Sequence, residues 1–522
     1  MGHIAPIFVA LAVLIAADEA WTSGLEWPWA ALVPLTLPHL WSWATKRAFV
    51  AGHFRFGGFL YTSLGWLPAL SFVVVVLGFG WAGWIARVLA PDATALDWPH
   101  VSVLLVLAPF VGYSLLAIDA RARLGDMRSE EQARQRRFHT RMFLATLAPV
   151  LLLIVASWLI GLNDTLRANV EHVALWSGLF AAVLVVATML LLPSMLRRVW
   201  QTSPLPAGQV RRALEGFAER CGFRCRELVL WHTGFQMSNA AVVGLGGSRI
   251  VMFTDLLLSQ LPERELLAVF AHEIGHVVRH HVLVFVAWSL ALFLGMELTL
   301  VQLELESELA AGALLLATLG VWYFAFGWYS RRIEVEADMY SVAVTGDMEA
   351  MVAALERVGG PASRALHSWR HFSTQTRVEL LRSSIVDPSL VERWTRQLRW
   401  IGRAGLALGA TVLAAQAWTL LESYPSDRLV VELALGRYEH AARLARDVRE
   451  LDPDLASLIA RAESLREDQR VPQALVDAGQ SARAANQPSV AFELLSLAQL
   501  RGAPDLSDDL DSLAELLRTE SR

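Results

Sequence analysis

Runs of about twenty apolar residues dominate this chain and limit its fold more than any other feature, because a helix of that length crosses the hydrocarbon of a bilayer. Such runs lie near 59–86, 100–118, 142–162, 173–196, 282–303 and 309–329, with 4–20 and 399–421 as further candidates. The stretch 28–44 is interrupted by Pro28, Pro34 and Pro38, which a span tolerates only where neighbours satisfy the freed backbone groups. Of 522 residues, 55% are apolar and 18% charged, whereas soluble chains run nearer to about 25% charged. The 20 Trp fit a chain with many bilayer interfaces, where indole rings collect. Disordered, fibrous and small disulfide-stapled classes are excluded. The expected fold is mainly α, a polytopic membrane protein with about 8–9 transmembrane helices. Residues 4–20 have no basic segment before them, and Asp18-Glu19 follow without a clear cleavage site, so a retained helix is expected rather than a signal peptide.

Arginine placement sets an orientation, since positive charge stays on the cytoplasmic side. Lys46, Arg47 and Arg55 lie in 43–58, and seven Arg from Arg121 to Arg141 lie in 119–141. Both segments read as cytoplasmic loops. The intervening loops 87–99 and 163–172 hold only Arg87 and Arg167. Arg197-Arg198 return the chain inside, the acidic 304–308 reads as external, and Arg331-Arg332 come back to the cytoplasm. The net charge of −5 gives no global basic field, so no nucleic-acid partner is expected. Cys221 and Cys225 are too few for a disulfide framework or a cysteine zinc site.

Four segments follow: 1–199 as an N-terminal transmembrane domain, 200–398 as a small α+β insertion carrying the transmembrane hairpin 282–329, 399–421 as a last transmembrane helix, and 424–522 as a helical tail. Within the insertion, Val210, Leu214, Phe217 and Cys221 recur at helical spacing and Gly222 supplies a stop. The runs 225–231 and 249–254 have strand character, and Pro262 suits the first turn of a helix that continues to about residue 281.

On that helix stands His272-Glu273-Ile274-Gly275-His276. Two His four residues apart share a helix face, so both imidazoles can reach one zinc ion, and Glu273 can approach a water there without becoming a ligand. Chance predicts on the order of 0.02 such H-E-x-x-H motifs in a chain of this composition. A third ligand is expected from the stretch Glu334-Val335-Glu336-Ala337-Asp338. If helical, it puts Glu334 and Asp338 on one face and Glu336 nearly opposite. One carboxylate would bind metal and the other would orient a ligating His through its far nitrogen. His280 and His281 are expected to be solvated or interfacial. Around Asn239, Ala240, Ala241 and Val242 an exposed edge strand could hold a substrate extended by backbone pairing; an ordinary buried strand is the alternative.

These motifs resemble the membrane-embedded zinc metallopeptidases, gluzincin in type, that include the CAAX prenyl proteases and the HtpX-like proteases. The resemblance rests on Ser238-Asn239-Ala240 before Gly244 to Val251, on Glu265 to His276, on Glu334 to Asp338 after two hydrophobic helices, and on His371 and Arg377 six residues apart. It covers about 200–385 by motif and 1–200 by hydropathy only. It implies one Zn²⁺ per chain held by His272, His276 and Glu334, with Glu273 as general base. It also implies His371 hydrogen-bonding the oxyanion and Arg377 holding the substrate-side architecture. Here Phe372 follows His371 where the family usually has Pro. The expected activity is endopeptidase cleavage of membrane or membrane-associated proteins in a bacterial inner membrane, with the active site facing the cytoplasm. The alternative is a polytopic scaffold or transporter with a non-catalytic metal site, which would not need a positioned general base.

In the tail, Gly436 to Ala441 with Pro453 beyond resembles the second half of a tetratricopeptide repeat, with a weaker echo at Ala491, Ala498 and Pro504; a generic helical bundle is the alternative. If 399–421 crosses, this domain is external and is expected to bind a protein partner or to cover external parts of the membrane domain. If it packs beside the insertion, the tail stays cytoplasmic.

Overall fold

The computed structural model describes residues 27–89, 99–125, 128–244, 246–302, 308–363, 369–448, 451–503 and 506–520, with Pro6, Val9 and Ala10. It is mainly helical with one small sheet. The chain divides into two compact units, one of 1–132, 146–185 and 419–522, the other of 133–145 and 186–418.

Among the described residues, five helices are long and apolar enough to cross a membrane, or up to seven if each of two bent pairs is one span. The run at 59–86 overlaps one such pair, Phe54–Ser63 and Leu67–Gly78, bent by 57°. A second pair bends by 100° between Asp164–His172 and Ala174–Thr188, where Val173 adopts extended dihedrals. The proline-interrupted 28–44 is a 3₁₀ helix, Pro28–Leu35, followed by an α-helix at Leu37–Val50. Most of 4–20, and 303–307, lie outside the described residues.

One difference from the sequence reading is physical. The arginine-rich end of 119–141 is no loop: it forms the opening turns of helix α1 (Ser129–Gly161). Arg and Gln are good helix formers, and Glu130 and Glu131 favour the positive end of the helix dipole. The Glu131 side chain also accepts the Arg128 backbone N–H. A second long apolar helix, α2 (Ala174–Val199), ends on Arg197 and Arg198.

The segment after α2 is built on β1 (Thr202–Pro204), α3 (Gln209–Arg220), β2 (Glu227–Trp231), β3 (Ala240–Val243) and β4 (Ile250–Thr254). Strand order is β1-β2-β4-β3, with β2 and β4 parallel and β3 antiparallel to β4. Every side chain of β4 is buried. The sheet packs on α3 and α4 (Glu263–Val278) through Leu214, Phe217, Val251, Phe253, Phe270 and Ile274. α5 (His281–Gln302) and α6 (Glu308–Thr345) form the apolar hairpin, followed by α7 (Met348–Ser363) and α8 (Thr374–Val386). The stretch 399–421 lies inside the 46-residue helix α9 (Ser389–Ala434). Its Gly402, Gly405 and Gly409 let its backbone approach Val284, Ala287 and Trp288 of α5, the small-residue packing common between helices in lipid.

In the other unit, the tail folds as successive helices around Leu429, Leu433, Tyr438, Ala441, Leu475, Leu495 and Ala498. Gly479 sits where a Cβ would meet Leu495 at 2.6 Å, so the helices Pro472–Ala484 and Pro488–Leu500 cross in close contact.

Candidate metal and catalytic centre

α4 and α6 cross where both carry small residues. A Cβ at Gly275 would lie 3.0 Å from Tyr340 and 3.3 Å from Ala337, a tight fit that glycine avoids. The Ser341 hydroxyl donates to the Ala268 carbonyl at 2.7 Å and ties the pair together. This crossing sets His272 and His276 of α4 against Glu334 of α6.

One donor atom from each of these three residues lies within 4.8 Å of the other two. His272 Nε2 and His276 Nε2 are 3.1 Å apart, His272 Nε2 is 3.6 Å from Glu334 Oε2, and His276 Nε2 is 3.7 Å from Glu334 Oε1. Tetrahedral zinc with bonds of about 2.0–2.1 Å needs donors about 3.3 Å apart, so the set fits. It is the one such group of three among the described residues.

The far nitrogens are also engaged, which fixes both rings with Nε2 toward the centre of the triangle. His272 Nδ1 lies 2.8 Å from Asp338 Oδ1. Asp338 is fully buried and receives two bonds from Arg377, Nε to Oδ2 at 2.7 Å and Nη2 to Oδ1 at 2.6 Å. The Arg377 Nη2 also comes within 3.6 Å of Glu334. Burial works against the Arg377 charge, but Asp338, Glu334 and Glu273 together raise its pKa above the ordinary guanidinium value.

His276 has its own support, which the sequence reading missed. Its Nδ1 lies 2.8 Å from His281 Nδ1, and His281 Nε2 lies 3.0 Å from Glu336 Oε2. His281 is 2% exposed and Glu336 3%, so His281 is neither solvated nor interfacial; only His280 is exposed. The reason lies at the junction of α4 and α5. His280 adopts φ +57°, ending one helix and turning the next residue back over His276. Glu336, facing away from the ligand triangle, serves this second His. The available signal was a His just past the second metal His together with a second Glu between Glu334 and Asp338. Burial first, then the nearby His272, push the His276 pKa down to about 3, so its ring is neutral as a ligand must be. His281→Ala is expected to weaken zinc binding about 10- to 100-fold. Competition with a chromophoric chelator measures this, and unchanged affinity would leave His281 only a packing role.

Glu273 points from α4 toward the sheet edge. Burial pushes its carboxyl up to about 7, although His272, Arg377 and the Val242 backbone N–H pull the other way. The Val242 bond has a second meaning: among the described residues β3 pairs on one side only, with β4, and its Val242 N–H is directed at the Glu273 carboxyl. Asn239 is held at the head of β3 by reciprocal contacts with Thr254, its N–H donating to Thr254 Oγ1 at 2.9 Å and its carbonyl accepting the Thr254 N–H at 3.0 Å. Ala240 is buried, while Ala241 and Val242 are half-buried.

His371 enters from the segment before α8. Trp369 stacks on Tyr323 and Phe326, its Nε1 donates to the Tyr323 carbonyl at 3.0 Å, and its own carbonyl accepts from Arg331 at 2.9 Å. Ser373 caps α8 by accepting the Thr376 N–H. Between these anchors His371 Nδ1 sits 3.2 Å from Glu334 Oε2 and stays 41% exposed. Phe372 packs into the core shared by Val335, Met339, Leu355 and Leu381. All the expected ligand and support residues thus meet at one place, with Glu273 and β3 on the adjoining side.

Residues 204–398 match peptidase family M48. A protease HtpX homolog from Aeropyrum pernix is 30% identical over 227 residues, 40% of this chain and 70% of that protein. This chain therefore belongs to peptidase family M48, and it is a metalloprotease. An uncharacterized metalloprotease, YhfN of Bacillus subtilis, is 28% identical over 30% of this chain and 39% of its own length. A CAAX prenyl protease 1 homolog of Oryza sativa is 34% identical over 23% of this chain and 29% of its own. The crystal structure of S. mikatae Ste24p covers 67% of this chain and 97% of its own at 15% identity and a TM-score of 0.44, too distant to assign helix positions.

Proposed function

We propose that the chain is an integral-membrane, zinc-dependent endopeptidase that cuts membrane or membrane-associated proteins, in quality control or maturation, with Glu273 as general base. The observation that carries this reading is the combination of a zinc-sized donor triangle with a carboxylate that is not part of it, facing a strand edge left unpaired by the sheet. His272, His276 and Glu334 would hold the ion, which supplies the Lewis acidity that polarises a peptide carbonyl and acidifies water. Glu273 then has one task, to take the proton from the attacking water and pass it to the leaving amine, which its raised pKa suits. The free edge of β3 would pair with an extended substrate at Asn239 to Val242 and present its backbone to Glu273. Asp338 with Arg377, and His281 with Glu336, keep the two imidazoles from turning. A scaffold with a structural metal site would have no use for Glu273 or for the open edge.

His371 is proposed to hydrogen-bond the oxygen on which negative charge develops. Its exposed position beside Glu334 supports this. His371→Ala should lower kcat about 100-fold with zinc content unchanged. Mapping the product termini by mass spectrometry in the same assay tests for cleavage at internal bonds. Loss of zinc in this variant would instead make His371 a structural prop.

The arginine distribution supports an active site on the cytoplasmic side of the membrane, which we take to be a bacterial inner membrane. It also supports a tail, 424–522, placed outside by a crossing at 399–421, where its helical array would bind a protein partner.

A further inference from the structure

Away from the metal centre, the end of the sheet opposite β3's Val243 terminus carries a basic cavity that the protease reading does not use. It has a volume of about 260 Å³ and is lined by Arg134, Arg137 and Arg141 of α1, by Trp200 and Gln201 after α2, and by the loop from Trp231 to Gly234. The three arginines are spaced to share one face of α1. Among the described residues none of their guanidiniums meets a carboxylate within ion-pair distance. Asp255 also lines the cavity. Its charge is already spread over the Thr233 hydroxyl at 2.5 Å and the backbone N–H groups of Gly234, Phe235 and Leu256 at 2.8, 3.2 and 2.9 Å. His232, the remaining titratable group, meets Ser203 Oγ at 2.8 Å through Nε2. Three guanidiniums against one satisfied carboxylate leave the cavity positive.

The indoles add a second, independent observation. Trp200 and Trp231 stack at 4.3 Å with planes 7° apart, and Phe138 leans on Trp231 at 6.4 Å. Trp200 Nε1 is buried and has no acceptor among the described residues. A buried indole N–H without a partner is costly unless a ligand completes it.

The cavity's place along the helices identifies the ligand. α1 is polar through Arg141 and continuously apolar from Met142 to Gly161 apart from Thr146 and Ser157, while α2 is apolar up to Arg197, just before Trp200. On the reading that these helices span the bilayer, the guanidiniums and the indole pair sit where hydrocarbon gives way to headgroups. We propose that this cavity binds the phosphate of an anionic phospholipid headgroup. Arg134, Arg137 and Arg141 would supply charge-assisted donors to the phosphate oxygens. Trp200 Nε1 would supply one more, and the stacked rings would lie against the glycerol and upper acyl chain.

The test uses the full-length protein purified in neutral detergent, independent of proteolysis. Native mass spectrometry with short-chain phosphatidylglycerol or phosphatidylcholine counts retained lipid. Wild type should keep phosphatidylglycerol at least about tenfold more tightly than phosphatidylcholine. The triple variant Arg134→Gln/Arg137→Gln/Arg141→Gln should lose that preference, and Trp200→Phe should weaken it by severalfold. Zinc content and monodispersity establish that each variant is folded; should the triple variant fail this, single Gln variants must each show a partial loss. An undiminished preference in folded variants would overturn the site. Displacement of the lipid by millimolar inorganic phosphate would overturn the lipid assignment, since a small free anion would then be the better occupant.

Discussion

Glu273→Gln is expected to leave zinc bound and to remove proteolysis. The amide keeps the shape of the carboxylate and can still accept the Val242 N–H, but it cannot take a proton from water. Loss of a general base costs about 10²- to 10⁴-fold in rate, and more where base and metal act as a unit. Single-turnover cleavage by purified wild type and variant, with zinc measured in the same samples, reads both quantities. Cleavage near the wild-type rate would remove Glu273 from the chemistry.

The second large effect concerns Asp338, which is fully buried and bonded to both His272 and Arg377. Asp338→Ala leaves the Arg377 charge in the protein interior with only the more distant Glu334 and Glu273 carboxylates to offset it. Breaking a buried ion pair by removing one partner typically costs about 3–5 kcal/mol, a large part of a domain's stability. The same change frees His272 to rotate, so zinc affinity should fall with stability. Asp338→Asn keeps an acceptor for one neighbour and should lose less of both. Urea unfolding followed by Trp fluorescence, with zinc titration of each variant, separates the two effects. An unchanged midpoint in Asp338→Ala would show that Arg377 finds water when its partner is gone.

Much of the centre was legible because it is local. His272, Glu273 and His276 belong to one helix, and Glu334 and Asp338 to another, so a 3.6-residue period places each side chain without knowledge of the fold. The His281–Glu336 support was not legible. It depends on the left-handed turn at His280, a non-glycine residue whose conformation no periodicity signals. The arginines of 128–141 were read as loop because they are charged, although their propensity is helical. The bends in the apolar runs, 57° and 100°, are set by packing and by single residues such as Val173, not by hydropathy. Strands were read at 225–231, 249–254 and around 239–242, whereas the three-residue β1 was not, and the order that leaves β3 at the edge is a long-range property.

The central claim, that His272, His276 and Glu334 hold a catalytic zinc, is tested most directly by metal removal and return. Purified chain is stripped with a chelator, then titrated with zinc while bound metal and cleavage of a protein substrate are followed together. The account predicts one zinc per chain, no cleavage in the stripped protein, and activity rising in step with occupancy, with none recovered in His276→Ala. Full cleavage by the stripped protein, or equal tight zinc binding by His276→Ala, would contradict it.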